Sequence, residues 1–433
     1  MITIGITEDN RIESIDDTGQ QIKSGKAGTD DAAVIQDAVD RLAKGGQILL
    51  RAGRYMFDRP VEVTVPVTIC GEGRGTEIQP PDGDFAFKVF ENGSCPSRRY
   101  DSFGTPPVHA EPGPAWPGGK VGHTRPRLHS VHIRHLAIQG HGRGKGISLA
   151  CLTESMFTDL WISNTGEGPA LQFEMEVMET VFDNLHLSNC GCPASQEATI
   201  EMKSQTGDAC NNLHFRSIYV IFPKYIGVQI GGDQGPNHPR LLWFEDCMLH
   251  GWHHRAEPAP YDLMRVNKTD PARGICVKGC RLTNSGEDSA YLRVREGRVK
   301  IEDCVLGGGR GRHYLAVQPG ATLQAIGNTF HYDVDLEHVL TADRAEVVFT
   351  GNQVVLGKGN PVLDIRSPRT ARINENRFQL DSGQCPLRIT DSAEAPSGPV
   401  VVTGNIVGGS AEAMQTELVS DAPVIERDNT YVM

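Results

Sequence analysis

Phe349–Gly357 reads "FTGNQVVLG"; twenty-four residues earlier Ala325–Asp333 reads "AIGNTFHYD", and twenty-four later Ile373–Asp381 reads "INENRFQLD". Each phrase sets an apolar residue, two small or polar ones, Asn, any residue, then an apolar one. With the Asn as marker, the column extends both ways as Leu136, Leu160, Leu185, Ile218, Cys247, Cys280, Cys304, Asn328, Asn352, Asn376, Asn405 and Asn429. The steps are 24, 25, 33, 29, 33, 24, 24, 24, 24, 29 and 24 residues. Three places before the marker the chain keeps an apolar residue from Ile133 to Val402, and two places after it another from Ile138 to Val407. Only the last turn differs, with Glu426 and Tyr431 in these places.

A fixed period of this size marks a solenoid, whose units bury apolar faces only against their neighbours. Short alternating runs such as "AYLRVREG" and "GRVKIEDC", with almost no helical spacing, make the units strands rather than helix pairs. The reading is an all-β, right-handed parallel β-helix of about 11–12 coils, one domain over residues 1–433 with regular coils at 136–429. Successive coils then lie about 4.8 Å apart. Asn side chains stacked at one turn can pass hydrogen bonds from coil to coil, each contributing about 1 kcal/mol.

Composition agrees. Forty-eight Gly and 26 Pro suit many tight turns. The net charge of -12 argues against nucleic acid as partner, since phosphate binding needs clustered cations. No apolar run reaches the roughly 20 residues of a membrane span. The opening "MITIGITEDNR" lacks the basic start and apolar core of a signal peptide, which predicts a cytoplasmic chain and leaves secretion by another route open. Eleven Cys without a C-x-x-C pair predict buried free thiols rather than a zinc site.

Near the N-terminus, Thr29 and Asp30 offer a helix cap, and "DDAAVIQDAVDRLAKGG" places Val34, Ile35, Ala38, Val39 and Leu42 on one face before Gly45 and Gly46. This predicts a helix over about 29–46 that covers the open end of the stack. "QILLRAGRYMF" and "VTVPVTICGEGRGTEI" read as the first strands. The stretch Gly28–Ile78, "GTDDAAVIQDAVDRLAKGGQILLRAGRYMF…VTICGEGRGTEI", resembles the start of the pectate-lyase-like superfamily of right-handed parallel β-helix proteins. The resemblance implies the fold strongly and an activity weakly, because that superfamily holds lyases, hydrolases, epimerases, phage spikes and scaffolds. It also allows a homotrimer.

Sites are expected where the chain leaves its period. Residues 90–128 form a long Pro- and Gly-rich insertion, and the middle coils carry extra loops at 203–212, 231–239, 250–260 and 267–274. Beneath them the strands "TIEM", "VQI", "MRV" and "LRV" would turn Glu201, Gln229, Arg265 and Arg293 outward. Two arginines one coil apart suit an anionic sugar chain, because guanidinium groups bind a uronate carboxyl and acidify its C5 proton. Lys203, His238 or a neighbouring residue could remove that proton, and the sequence does not choose among them. A second cluster, "HGWHHR", offers His253 and His254 for acid–base chemistry and Trp252 for stacking on a sugar, beside Lys224 and Tyr225.

The expected activity is that of a polysaccharide lyase or epimerase acting on a uronate-containing polysaccharide or oligosaccharide. A glycoside hydrolase or transferase is the alternative, with Glu201 and Asp233 as its carboxylates, although the chain has no Asn-Thr-Asp, and no paired Asp in the middle coils, of the kind polygalacturonase-type relatives carry. A non-catalytic glycan-binding or spike-like protein is the third reading. No cofactor is called for: calcium would need Asp208, Asp233 and Asp270, one from each of three loops, to converge.

Overall fold

The computed structural model describes residues 1–91, 127–166, 168–202, 210–232, 238–251, 261–283, 289–309, 311–331, 336–355, 361–381, 384–391, 397–409, 417–419 and 424–432. They fall into two compact units, Met1–Ile218 and one that begins at Tyr219. Each is a stack of short parallel strands, and the described residues hold one α-helix, so the fold is the all-β solenoid that the period predicts. No helix among them is long and apolar enough to cross a membrane.

The first unit begins before the point expected. Three antiparallel strands, Ile2–Ile6, Arg11–Asp16 and Gln21–Lys26, precede the helix, and the first of them pairs in parallel with Gly46–Leu50. Ile2, Ile4 and Ile12 are buried between half-exposed neighbours, a period-two pattern too short to stand out in the sequence.

The helix spans Asp31–Arg41, shorter than expected, and buries the expected Val34, Ile35, Ala38 and Val39. Asp30 holds the cap position without capping. Its Oδ2 accepts the Lys26 amide at 2.7 Å, while buried Asp31 accepts the amides of Gly28 at 2.9 Å and Met56 at 2.7 Å. The carboxylates thus tie the helix to the strands around it instead of closing its first turn.

Strand register bears out the apolar columns. In the first unit Ile133 lies opposite Phe157 and Phe157 opposite Phe182, with Leu136, Leu160 and Leu185 aligned behind them. Phe157, Phe182 and Phe215 stack with centroids 5.1 and 4.9 Å apart. In the second unit Val277, Ile301, Ala325, Phe349, Ile373 and Val402 follow one another rung by rung, ending on Glu426.

One column escaped the sequence reading. The residue just before each marker has a left-handed backbone: His135, Asp159, Asn184 and Ser217 in the first unit, and Asp246, Gly279, Asp303, Gly327, Gly351, Glu375, Gly404 and Asp428 in the second. Gly, Asn and Asp tolerate this region best, so a Gly/Asp/Asn-rich column was its signal. The corner is built between rungs: a Cβ on Gly279 would stand 2.5 Å from Asp246 Oδ1, and one on Gly327 2.8 Å from Asp303 Oδ1.

The marker itself answers for the period. Asn328, Asn352, Asn376 and Asn405 are buried, and the Asn side chains bridge rungs: Asn352 Oδ1 accepts the amide of Asn328 at 2.9 Å and its Nδ2 at 3.0 Å, while Asn352 Nδ2 donates to Ala325 O and Asn376 Oδ1. Asn376, Asn405 and Asn429 repeat the pattern. Below Asn328 the ladder passes to sulfur. Asn328 Oδ1 accepts the Cys304 amide at 3.0 Å, Cys304 Sγ that of Cys280 at 3.3 Å, and Cys280 Sγ that of Cys247 at 3.3 Å. Thiol and amide do the same work at this position, and these cysteines are free and buried.

Candidate functional site

In the second unit the strands Val228–Ile230, Met264–Val266, Ala290–Val294, His313–Val317, His338–Asp343 and Leu363–Arg366 lie side by side. Gln229 stands opposite Arg265, and Arg265 opposite Arg293. The flanking Met264, Val266, Leu292 and Val294 are buried, so alternation turns both arginines outward.

What holds the arginines is Asp262, which the sequence reading passed over. Its Oδ2 accepts Nε of Arg265 at 2.7 Å and Nε of Arg293 at 2.9 Å, and its Oδ1 accepts the Ala290 amide at 2.9 Å. Asp262 is 2% exposed. Burial pushes its carboxyl up, but the Arg293 hydrogen bond, the charges of Arg293 and Arg265 and the Ala290 amide outweigh it and hold the group below the usual carboxylate range. Because both guanidinium groups are gripped through Nε, their Nη nitrogens meet no partner among the described residues. Two guanidinium groups held side by side by one carboxylate carry a net positive charge and can receive an anion.

His313 stands opposite Ala290, one rung on, at the place in its strand that Asp262 holds two rungs earlier. Its ring stacks on His338 at 5.6 Å with parallel planes, and its Nδ1 is buried without a partner. Burial first, then the positive charges of Arg293 and Arg312 and the His338 ring, push it down to about 4 against the pull of Asp262. The imidazole is therefore neutral at pH 7 beside a cationic pair. Its sequence signal, "RHYLAV", is a polar residue opening an apolar strand, and it resembles many others.

The other expected residues are placed as follows. Tyr225 packs edge-on against Tyr261, the neighbour of Asp262, with centroids 4.4 Å apart. Lys224 is half-buried beside it. Glu201 belongs to the first unit and is 1% exposed, its Oε2 turned back onto the Ala198 amide at 2.8 Å; it is enclosed rather than presented on an open face. His238 lies in the field of Lys268, which bridges to Glu296 beyond the far end of the strands; burial, with Lys268, lowers its pKa. Asp270 Oδ1 accepts the amides of Ala272 and Arg273 within its own loop. Lys203, Asp208, Asp233, Trp252, His253 and His254 lie outside the described residues.

Solved structures share this architecture. The tailspike gp61 of Pseudomonas phage phi297 is similar with a TM-score of 0.51 and 12% identity, over 86% of this chain and 73% of that one. The tailspike protein gp49 from Pseudomonas phage LKA1 gives 0.50 and 13%, over 93% and 74%. This is the right-handed parallel β-helix fold. The catalytic unit of a GH87 alpha-1,3-glucanase from Streptomyces thermodiastaticus covers 94% of this β-helix chain and 68% of its own at a TM-score of 0.48 and 12% identity. No protein-family model matches the sequence, and no curated protein does. At these identities the likeness is one of fold, and the site has to be read from its own residues.

Proposed function

We propose that this protein acts on a uronate-containing glycan, as a polysaccharide lyase or a C5 epimerase, with the Arg265–Arg293 pair as its carboxylate receptor. The observation that carries the reading is the grip of one buried carboxylate on both Nε atoms, which leaves the outward Nη nitrogens unengaged. The two cations offset the charge of a uronate carboxylate docked there, and the C5–H bond beside it becomes more acidic. His313, one rung beyond Arg293 and within its field, is the base in this reading. In elimination the C5–H pair forms the C4=C5 double bond, the glycosidic C4–O bond breaks, and the leaving oxygen takes up a proton. In epimerisation a proton returns to C5 from the opposite face. Tyr225 and Tyr261 supply an apolar edge beside the pair for a sugar ring.

Titration of the protein with an oligouronate tests the receptor. Saturable binding that Arg293→Ala weakens by about a hundredfold, with an unchanged circular dichroism spectrum, is expected. Equal binding by wild type and Arg293→Ala would remove the basis of the proposal.

A further inference from the structure

The column that carries Arg293 continues along the same face. Arg293 stands opposite Ala316, Ala316 opposite Thr341, and Thr341 opposite Asp364. The residues on either side of these four, Leu292 and Val294, Leu315 and Val317, Leu340 and Ala342, Leu363 and Ile365, are buried, so the column points outward. It spans three rung intervals, about 14 Å.

Its groups differ in what they offer. Arg293 presents Nη donors, Ala316 leaves space, and the Thr341 hydroxyl has no partner among the described residues. Asp364 ends the series with an acceptor in need of a donor: the residue is 3% exposed, its Oδ2 takes one bond from Arg366 Nη2 at 3.0 Å, and its Oδ1 is buried with nothing to accept from. A buried carboxylate oxygen left without a donor is costly. Arg366, with a 64% exposed side chain, engages Oδ2, and a long exposed side chain can swing aside. Arg388 stands opposite Asp364 on the next rung and brings a second cation to this end of the column.

We propose that the face from Arg293 to Asp364 selects a mixed glycan, in which an acidic sugar at the arginine pair is followed along the chain by a neutral sugar whose hydroxyl donates to Asp364. The inference rests on the arginine pair being a uronate receptor. An ionised uronate carboxyl only accepts, so at Asp364 it would meet a second acceptor of like charge. A hydroxyl supplies the missing donor, and Thr341 between them can serve either neighbour. An unbroken polyuronate therefore fits the arginine end, while at the aspartate end, even with Arg366 and Arg388 nearby, its carboxylate gives the buried Oδ1 no donor.

Calorimetric titration with two probes of equal length, a homopolyuronate and an oligosaccharide alternating uronate with neutral hexose, decides the matter. Wild type should prefer the alternating probe by about tenfold or more. Asp364→Asn, whose amide donates as well as accepts, should bring the two probes together, Thr341→Val should weaken the alternating probe alone, and Arg293→Gln should weaken both. A wild-type ratio near one, or a ratio that neither Asp364→Asn nor Thr341→Val changes while Arg293→Gln weakens both probes, overturns the selectivity and leaves the receptor standing. Binding of both probes unchanged in Arg293→Gln overturns the receptor and the selectivity with it. Asp364→Asn is isosteric, and Thr341→Val provides an independent reading should the first variant fold poorly.

Discussion

Asp262 makes three hydrogen bonds at once, two to arginine Nε atoms and one to a backbone amide. Its replacement by Asn keeps the shape but removes the charge that holds two cations together, so Asp262→Asn should lower stability by about 3 kcal/mol and weaken oligouronate binding, checked by denaturant melts and titration. His313 sets an acid limit. Its folded pKa of about 4 lies below the ordinary 6.5, so the unfolded chain takes up the proton first as pH falls. The contribution is complete above about pH 6.5 and is lost progressively toward pH 4. Asp262, whose folded carboxyl is held low, adds a further loss only below its ordinary 3.8. Melting temperature should therefore fall between pH 6.5 and 4, and His313→Gln should flatten that slope; an unchanged slope would show that His313 is not buried as a neutral base. Neither residue stood out in the sequence. Asp262 sits three places before Arg265, just ahead of its strand, and its second contact needs the arginine of the next coil, so the pair of contacts exists only in three dimensions.

The repeating element is a corner: a left-handed residue, then a buried marker whose side chain reaches the next rung. Asn352→Ala removes two accepted and two donated bonds and leaves the buried Asn328 amide unsatisfied, which should cost about 3 kcal/mol. Turnover should be unaffected at moderate temperature; a selective loss of turnover with normal melting would contradict a purely structural ladder. Gly327→Ala tests the other half of the corner. Both the left-handed backbone and the 2.8 Å approach to Asp303 Oδ1 oppose a Cβ, and a loss of about 2 kcal/mol is expected. The ladder was legible because Asn at period 24 is rare by chance. The left-handed column was less so, since Glu375 and His135 occupy it beside Gly and Asp, and the three strands before the helix were hidden by their shortness.

At the scale of the whole molecule, a net charge of -12 opposes an acidic glycan while one local pair of arginines attracts it. Long-range repulsion is screened by salt more readily than a direct guanidinium–carboxylate contact, so the association rate with an oligouronate should rise as ionic strength increases from low values. A rate that falls steeply would point to a broad basic surface instead. The solenoid and its Arg265–Arg293 alignment could be read from the chain because period and alternation are properties of sequence. The charge state of His313 and the unmet oxygen of Asp364 depend on what surrounds them across coils, and sequence carries little of that.

The most direct test is to incubate the protein with polyuronates and with mixed acidic–neutral glycans and follow ultraviolet absorbance of unsaturated uronate ends, with reducing-end release in parallel. New absorbance, or inversion at uronate C5 seen by proton NMR where the product is epimerised, that disappears in Arg293→Ala and in His313→Gln, each still folded, is the predicted result. Reducing ends without absorbance, or absorbance that both substitutions leave intact, would contradict it.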